Sequence, residues 1–96
     1  MQIPTSIKIG GIRYDIAVVD QISGAPARIG EIDTAYTKIQ LRKTQADDSM
    51  KASFLHEVIH GIFYALGKEN GGDEELVEGI AQILYQVIVD NPDVFK

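Results

Sequence analysis

Cysteine is missing from this 96-residue chain, and histidine occurs only twice. Without thiols there is no disulfide framework, no iron–sulfur cluster, no cysteine zinc finger and no thiol nucleophile. The absence also fits an intracellular setting. Basic residues are few as well: nine Lys and Arg against fourteen Asp and Glu leave a net charge of −5. Their one local concentration is Lys38, Arg42 and Lys43. That falls short of the clustered basic face that phosphate backbones require, so nucleic acid is not an expected partner. No apolar run approaches the roughly 18 residues that span a bilayer. The opening Met-Gln-Ile-Pro-Thr lacks the basic-then-apolar layout of a secretory signal. The expectation is a soluble, cytoplasmic protein with no membrane partner.

What is present fits one ordinary globular domain over residues 1–96. Apolar residues make up 45% of the chain and charged ones 24%, enough for one core and too little chain for two. A core of this size is modest, so a bound metal ion would add stability.

The first part of the chain alternates with a period of two. Ile7 and Ile9, then Ile12, Tyr14, Ile16 and Val18, interleave with Lys8, Arg13, Asp15 and Ala17. Gly10-Gly11 between the two runs marks a hairpin turn. Ser23-Gly24-Ala25-Pro26 breaks the pattern as a loop. Looser alternation from Arg28 to Arg42 gives another strand or two, bent at Gly30 and Asp33-Thr34.

The period then changes. Thr44 with Asp47 three residues on reads as a capping box opening a helix. Apolar residues at 50, 54, 55, 58, 59, 62, 63 and 66 follow the 3.6-residue period up to Gly67, a helix stop. After Asn70-Gly71-Gly72, Asp73 caps a second helix that ends before Pro92. The layout is strands over 1–43, a first helix over 44–67 and a second over 73–91. The fold class is α+β, a small antiparallel sheet of about three strands followed by two helices.

Both histidines lie on the first helix, in His56-Glu57-Val58-Ile59-His60. Residues four apart share a helix face, so two imidazoles can reach one ion. Glu57 beside them is placed to act as a general base on water. A chance match in a chain of this length arises roughly once in several hundred sequences. Catalytic zinc usually takes three protein ligands. With no third His and no Cys, the third must be a carboxylate. Asp73, Glu74, Glu75 and Glu78 on the second helix are within reach. Glu78 and Glu74 border its apolar stripe, whereas Glu75 points away from it.

His56-Glu57-Val58-Ile59-His60-Gly61 followed by Glu78-Gly79-Ile80-Ala81-Gln82 resembles the gluzincin pattern. More specifically, residues 55–92 are similar to short phage- and prophage-encoded zinc metallopeptidase-like proteins, which resemble the minimal core of ImmA/IrrE-type peptidases. The resemblance covers about the C-terminal half of the chain. It implies a minimal zincin-like core, a Zn2+ cofactor held by His56, His60 and Glu78, Glu57 as the catalytic base, and a peptide or protein substrate. Gln82 stands where that pattern has Asn or Asp, which puts a contact to a ligand histidine in doubt. The alternative reading of the same motif is a zinc-stabilised accessory module that binds protein without cleaving it.

Three further expectations complete the picture. Tyr85 or Tyr36 could supply a hydroxyl to an oxyanion, although core or rim packing is the favoured account of both. Gly61 and Gly79 would permit close helix approach. The strand from Thr37 to Arg42, leading straight into the first helix, is expected at the sheet edge, where a substrate peptide could pair. Lys38, Arg42 and Lys43 there hint at acidic peptides.

Overall fold

The computed structural model describes residues 1–95; Lys96, the last residue of the expected domain, lies outside the described residues. Four strands come first: β1 (Ser6–Ile9), β2 (Ile12–Val19), β3 (Gly30–Asp33) and β4 (Lys38–Arg42). Two helices follow, α1 (Asp47–Ala65) and α2 (Glu74–Asp90), joined through a short 3-10 turn at Glu69–Gly71. The fold is α+β, with the helices following the sheet in sequence as the change of period indicates.

The sheet order is β1-β2-β4-β3. β1 and β2 form the antiparallel hairpin expected from Gly10-Gly11, and β3 and β4 form a second one. β2 and β4 run parallel, so the sheet is mixed. The cause is the loop over residues 20–29, which carries the chain across to the far edge before β4 returns between its neighbours. Ile22, fully buried, anchors that loop. The strand expected at the edge, β4, is therefore central, with Ile39 and Leu41 fully buried. Of the two edge strands, β3 packs the more extensively against α1.

Helix α1 starts later than the capping-box reading places it. Ala46 is the N-cap and supplies no side-chain bond, and Thr44 lies outside the helix. Gln45 accounts for the displacement. Its amide nitrogen donates to the carbonyls of Ile29 (3.1 Å) and Arg42 (2.7 Å), which holds it in the bend between β4 and the helix. Its oxygen accepts from Ser49 Oγ at 2.6 Å. Gln45 thus ties the end of the 20–29 loop to the first turns of α1.

The core forms where α1 lies between sheet and α2: Ile9, Tyr14, Ile39 and Leu41 from the strands, Phe54, Leu55 and Ile59 from α1, Val77 and Ala81 from α2. Each fully buried aliphatic side chain contributes about 1.5–3 kcal/mol by leaving water. Gly61 sets the spacing. A Cβ there would come within 2.8 Å of Ile9 Cδ1 and 3.1 Å of Ile32 Cδ1, so a larger residue would require those side-chain tips to move aside. The close approach is to the sheet, not to a helix. Gly79, by contrast, has open space around it and permits no helix contact. Among the described residues no helix is long and apolar enough to cross a membrane.

Candidate metal centre

His56 and His60 come from one face of α1, one turn apart, with ring centroids 4.8 Å apart in an edge-on arrangement. His60 is buried because α1 is covered on two sides. Each ring has its Nδ1 occupied. His56 Nδ1 donates to Glu78 Oε2 at 2.6 Å, and His60 Nδ1 donates to the Gly71 carbonyl at 2.7 Å. A carbonyl can only accept, and a carboxylate accepts, so these contacts favour the tautomer with hydrogen on Nδ1. The Nε2 lone pairs are left facing one point, 3.2 Å apart.

Glu74 completes that point. Its Oε1 lies 2.6 Å from His56 Nε2 and its Oε2 lies 2.9 Å from His60 Nε2. His56, His60 and Glu74 form a group able to hold a metal ion. The separations can be tested against an ion's needs. Donors about 2.0–2.1 Å from a tetrahedral centre lie roughly 3.3 Å from one another. The Nε2–Nε2 distance meets this, whereas the Glu74 oxygens, at 2.6 and 2.9 Å, lie closer than a bound ion would hold them. The residues fit a metal ion with two imidazole ligands and one carboxylate.

Glu78 sits outside this group. It faces the opposite side of His56 and is itself held by Gln82, whose Nε2 donates to Glu78 Oε1 at 2.8 Å. That bond, ahead of the one from His56, keeps the Glu78 carboxyl below its ordinary value despite some desolvation. Gln82, the departure from the gluzincin pattern, therefore makes a contact to Glu78 that links it indirectly to His56. Asp73 is the α2 N-cap, accepting from the Leu76 amide at 3.2 Å. Glu75 lies outside the cleft, on the outer face of α2.

A cleft of about 660 Å3 opens beside the centre, between the Ala27–Ile32 segment, α1 and α2. Glu57 is 7% exposed on its wall. Burial raises its pKa, and the two histidines and Arg28 only partly oppose this. The backbone of edge strand β3 runs directly past it: a Cβ on Gly30 would sit 3.2 Å from Glu57 Oε2. Tyr85 lines the cleft as well, its hydroxyl donating to Asp48 Oδ1 at 2.5 Å. Tyr36 is 80% exposed at the β3–β4 turn and does not reach the cleft. Lys38, Arg42 and Lys43 do not line it either.

Sequence reasoning passed over the Gly71 carbonyl, Gly30, Asp48 and Arg28. A signal existed for the first. Asn70-Gly71-Gly72 is a run of left-handed residues, with φ of 57°, 71° and 86°. That path turns the Gly71 carbonyl toward His60. Gly71 has no room for a side chain, because a Cβ would meet Tyr64 at 2.7 Å and His60 Nδ1 at 3.1 Å.

No protein-family model, curated protein or solved structure matches the chain.

Proposed function

We propose that the chain is a zinc-dependent hydrolase of the metallopeptidase type, with His56, His60 and Glu74 as ligands and Glu57 as general base. The observation that carries the reading is the convergence of two Nε2 lone pairs and the Glu74 carboxylate on one point of a cleft walled by buried Glu57. Three nitrogen and carboxylate ligands with one open position are the donor set of catalytic zinc. When bound, zinc lowers the pKa of water and polarises a carbonyl. The resemblance to gluzincins places the third ligand at Glu78. The geometry favours Glu74, one turn earlier, and leaves Glu78 to orient His56.

The chain's own residues then divide the work. Glu57, made more basic by burial, takes a proton from the attacking water and passes it to the leaving nitrogen. Glu78 and the Gly71 carbonyl hold hydrogen on the Nδ1 atoms and fix both ring planes. A substrate peptide lies extended along β3, whose outer edge pairs with no strand among the described residues. The Gly30 backbone brings it past Glu57.

The test is Glu57→Gln, with zinc content and digestion of a mixed peptide library measured together. The variant retains one zinc per chain and the fold, and hydrolysis falls by about 10²–10⁴-fold. A wild-type protein that holds zinc and cleaves nothing overturns the reading in favour of the accessory module.

A further inference from the structure

The cleft extends well beyond the metal centre. It follows α1 back toward that helix's start, past Ser53, Ala52 and Ser49 to Asp48. Asp48 precedes His56 by roughly 12 Å along the axis, at 1.5 Å per residue. The Ala27–Ile29 segment forms the facing wall there, and Gln82 and Tyr85 of α2 form the third. Small side chains at 27, 49, 52 and 53 leave this arm open for a guest side chain.

The charges along the cleft are unequal. Glu57 serves as base, Glu74 faces both imidazoles, and Glu78 is held by His56 and Gln82. Arg28, the one cation on the wall among the described residues, pairs with Glu31 at 3.5 Å. Asp47, next in sequence, pairs with Lys51 at 2.8 Å and does not line the cleft. Asp48 is different. Its hydrogen-bond partner is the Tyr85 hydroxyl, which occupies one oxygen and holds the carboxylate at the end of the arm. No Lys or Arg pairs with it among the described residues. A carboxylate accepts several hydrogen bonds, so capacity remains for a cationic donor.

We propose that Asp48, positioned by Tyr85, selects peptides with a lysine or arginine side chain reaching this arm of the cleft. The assignment rests on the metallopeptidase reading for the placement of the scissile bond. It reverses the polarity suggested by Lys38, Arg42 and Lys43, which lie off the cleft. Twelve ångströms correspond to three or four residues of extended chain, or to one long side chain from a nearer residue. The basic residue therefore lies within about four positions of the cleaved bond, on one side of it.

The experiment uses synthetic peptides carrying lysine or its uncharged near-isostere norleucine at each position around a cleaved bond. Wild-type kcat/KM favours lysine about tenfold at one position, the size of one charge-assisted hydrogen bond. In Asp48→Asn that lysine-to-norleucine ratio falls to about one. Binding of the same pair to zinc-loaded Glu57→Gln protein, followed by NMR shifts, gives the same ratio without chemistry. Cleavage with no lysine preference, or a preference that survives Asp48→Asn, overturns the Asp48 assignment and leaves the peptidase reading standing. Lysine-selective binding that requires Asp48, without any cleavage by the wild type, supports the Asp48 site and overturns the peptidase reading. Neither cleavage nor selective binding overturns both.

Discussion

Helices α1 and α2 furnish the same centre from opposite physical situations. Glu57 and His60 on α1 are 7% and 8% exposed, locked among core residues of the sheet and the partner helix. The side chains of Glu74 and Glu78 on α2 are 71% and 52% exposed. One half of the site is built by folding itself; the other is delivered by a glycine-rich turn and held by contacts to the histidines. An ion binding the three ligands would therefore act most on the α2 half, whose own packing constrains it least.

The largest expected effect follows from that asymmetry. Zinc at 1,000 times its dissociation constant stabilises the folded chain by about 4 kcal/mol. That corresponds to a Tm rise of more than about 10 °C for a domain of this size. Hydrogen exchange resolved by segment should show the added protection concentrated in residues 67–90. Protection gained only within α1 would break the comparison.

Gly71 is the point where the delivered half meets the built one. Gly71→Ala places a methyl against Tyr64 and His60 in a left-handed backbone conformation. The strain costs on the order of 1–3 kcal/mol. Displacing the carbonyl from His60 Nδ1 lowers zinc affinity about 10–100-fold. Chelator competition and thermal melts check both; wild-type affinity in this variant would show that the turn does not set His60.

Burial of Glu57 costs stability. Its pKa is raised by desolvation above the ordinary 4.5, so the folded state holds the proton more tightly than the unfolded one. The resulting penalty is absent below the unfolded value and grows as pH rises through the folded one. Zinc-free Glu57→Gln protein should therefore melt higher than wild type at neutral pH. The gap should narrow as pH falls toward 4.5, which differential scanning across pH would reveal. A gap that widens on acidification would contradict the desolvated carboxylate.

These contrasts also mark what the sequence could convey. The helices were legible because their apolar spacing and breakers are local: Gly67, Asp73 and Pro92 all bound them as expected. The His56–His60 pair was legible because a four-residue step on a helix fixes a shared face. The position of β4 was not, since strand order depends on where the 20–29 loop carries the chain. That path hangs on Ile22 and on Gln45 bonding to Ile29 and Arg42, contacts between distant positions. The choice between Glu74 and Glu78 was equally out of reach. Both border the same stripe of α2, and one turn of helix decides which nitrogen of His56 each one meets.

A smaller effect belongs to the far end of the cleft. The hydrogen bond to Asp48, followed by desolvation and the charges of Asp48 and Asp47, pushes the Tyr85 phenol up to about 12. The stabilisation from this bond is complete below pH 10 and fades as pH climbs toward 12. Subtracting the ultraviolet titration of Tyr85→Phe from that of wild type should isolate a phenolate step near pH 12. A step near 10 would mean the two helices are not bridged there.

The division of roles between the two glutamates is tested most directly by measuring zinc affinity of Glu74→Gln and Glu78→Gln side by side, by competition with a chromophoric chelator. If Glu74 is the ligand and Glu78 orients His56, Glu78→Gln weakens binding by about 10–100-fold and Glu74→Gln weakens it more. X-ray absorption of zinc-loaded protein should then show two imidazoles and one carboxylate in wild type and Glu78→Gln. Full affinity in Glu74→Gln, with the carboxylate lost only in Glu78→Gln, would contradict the assignment.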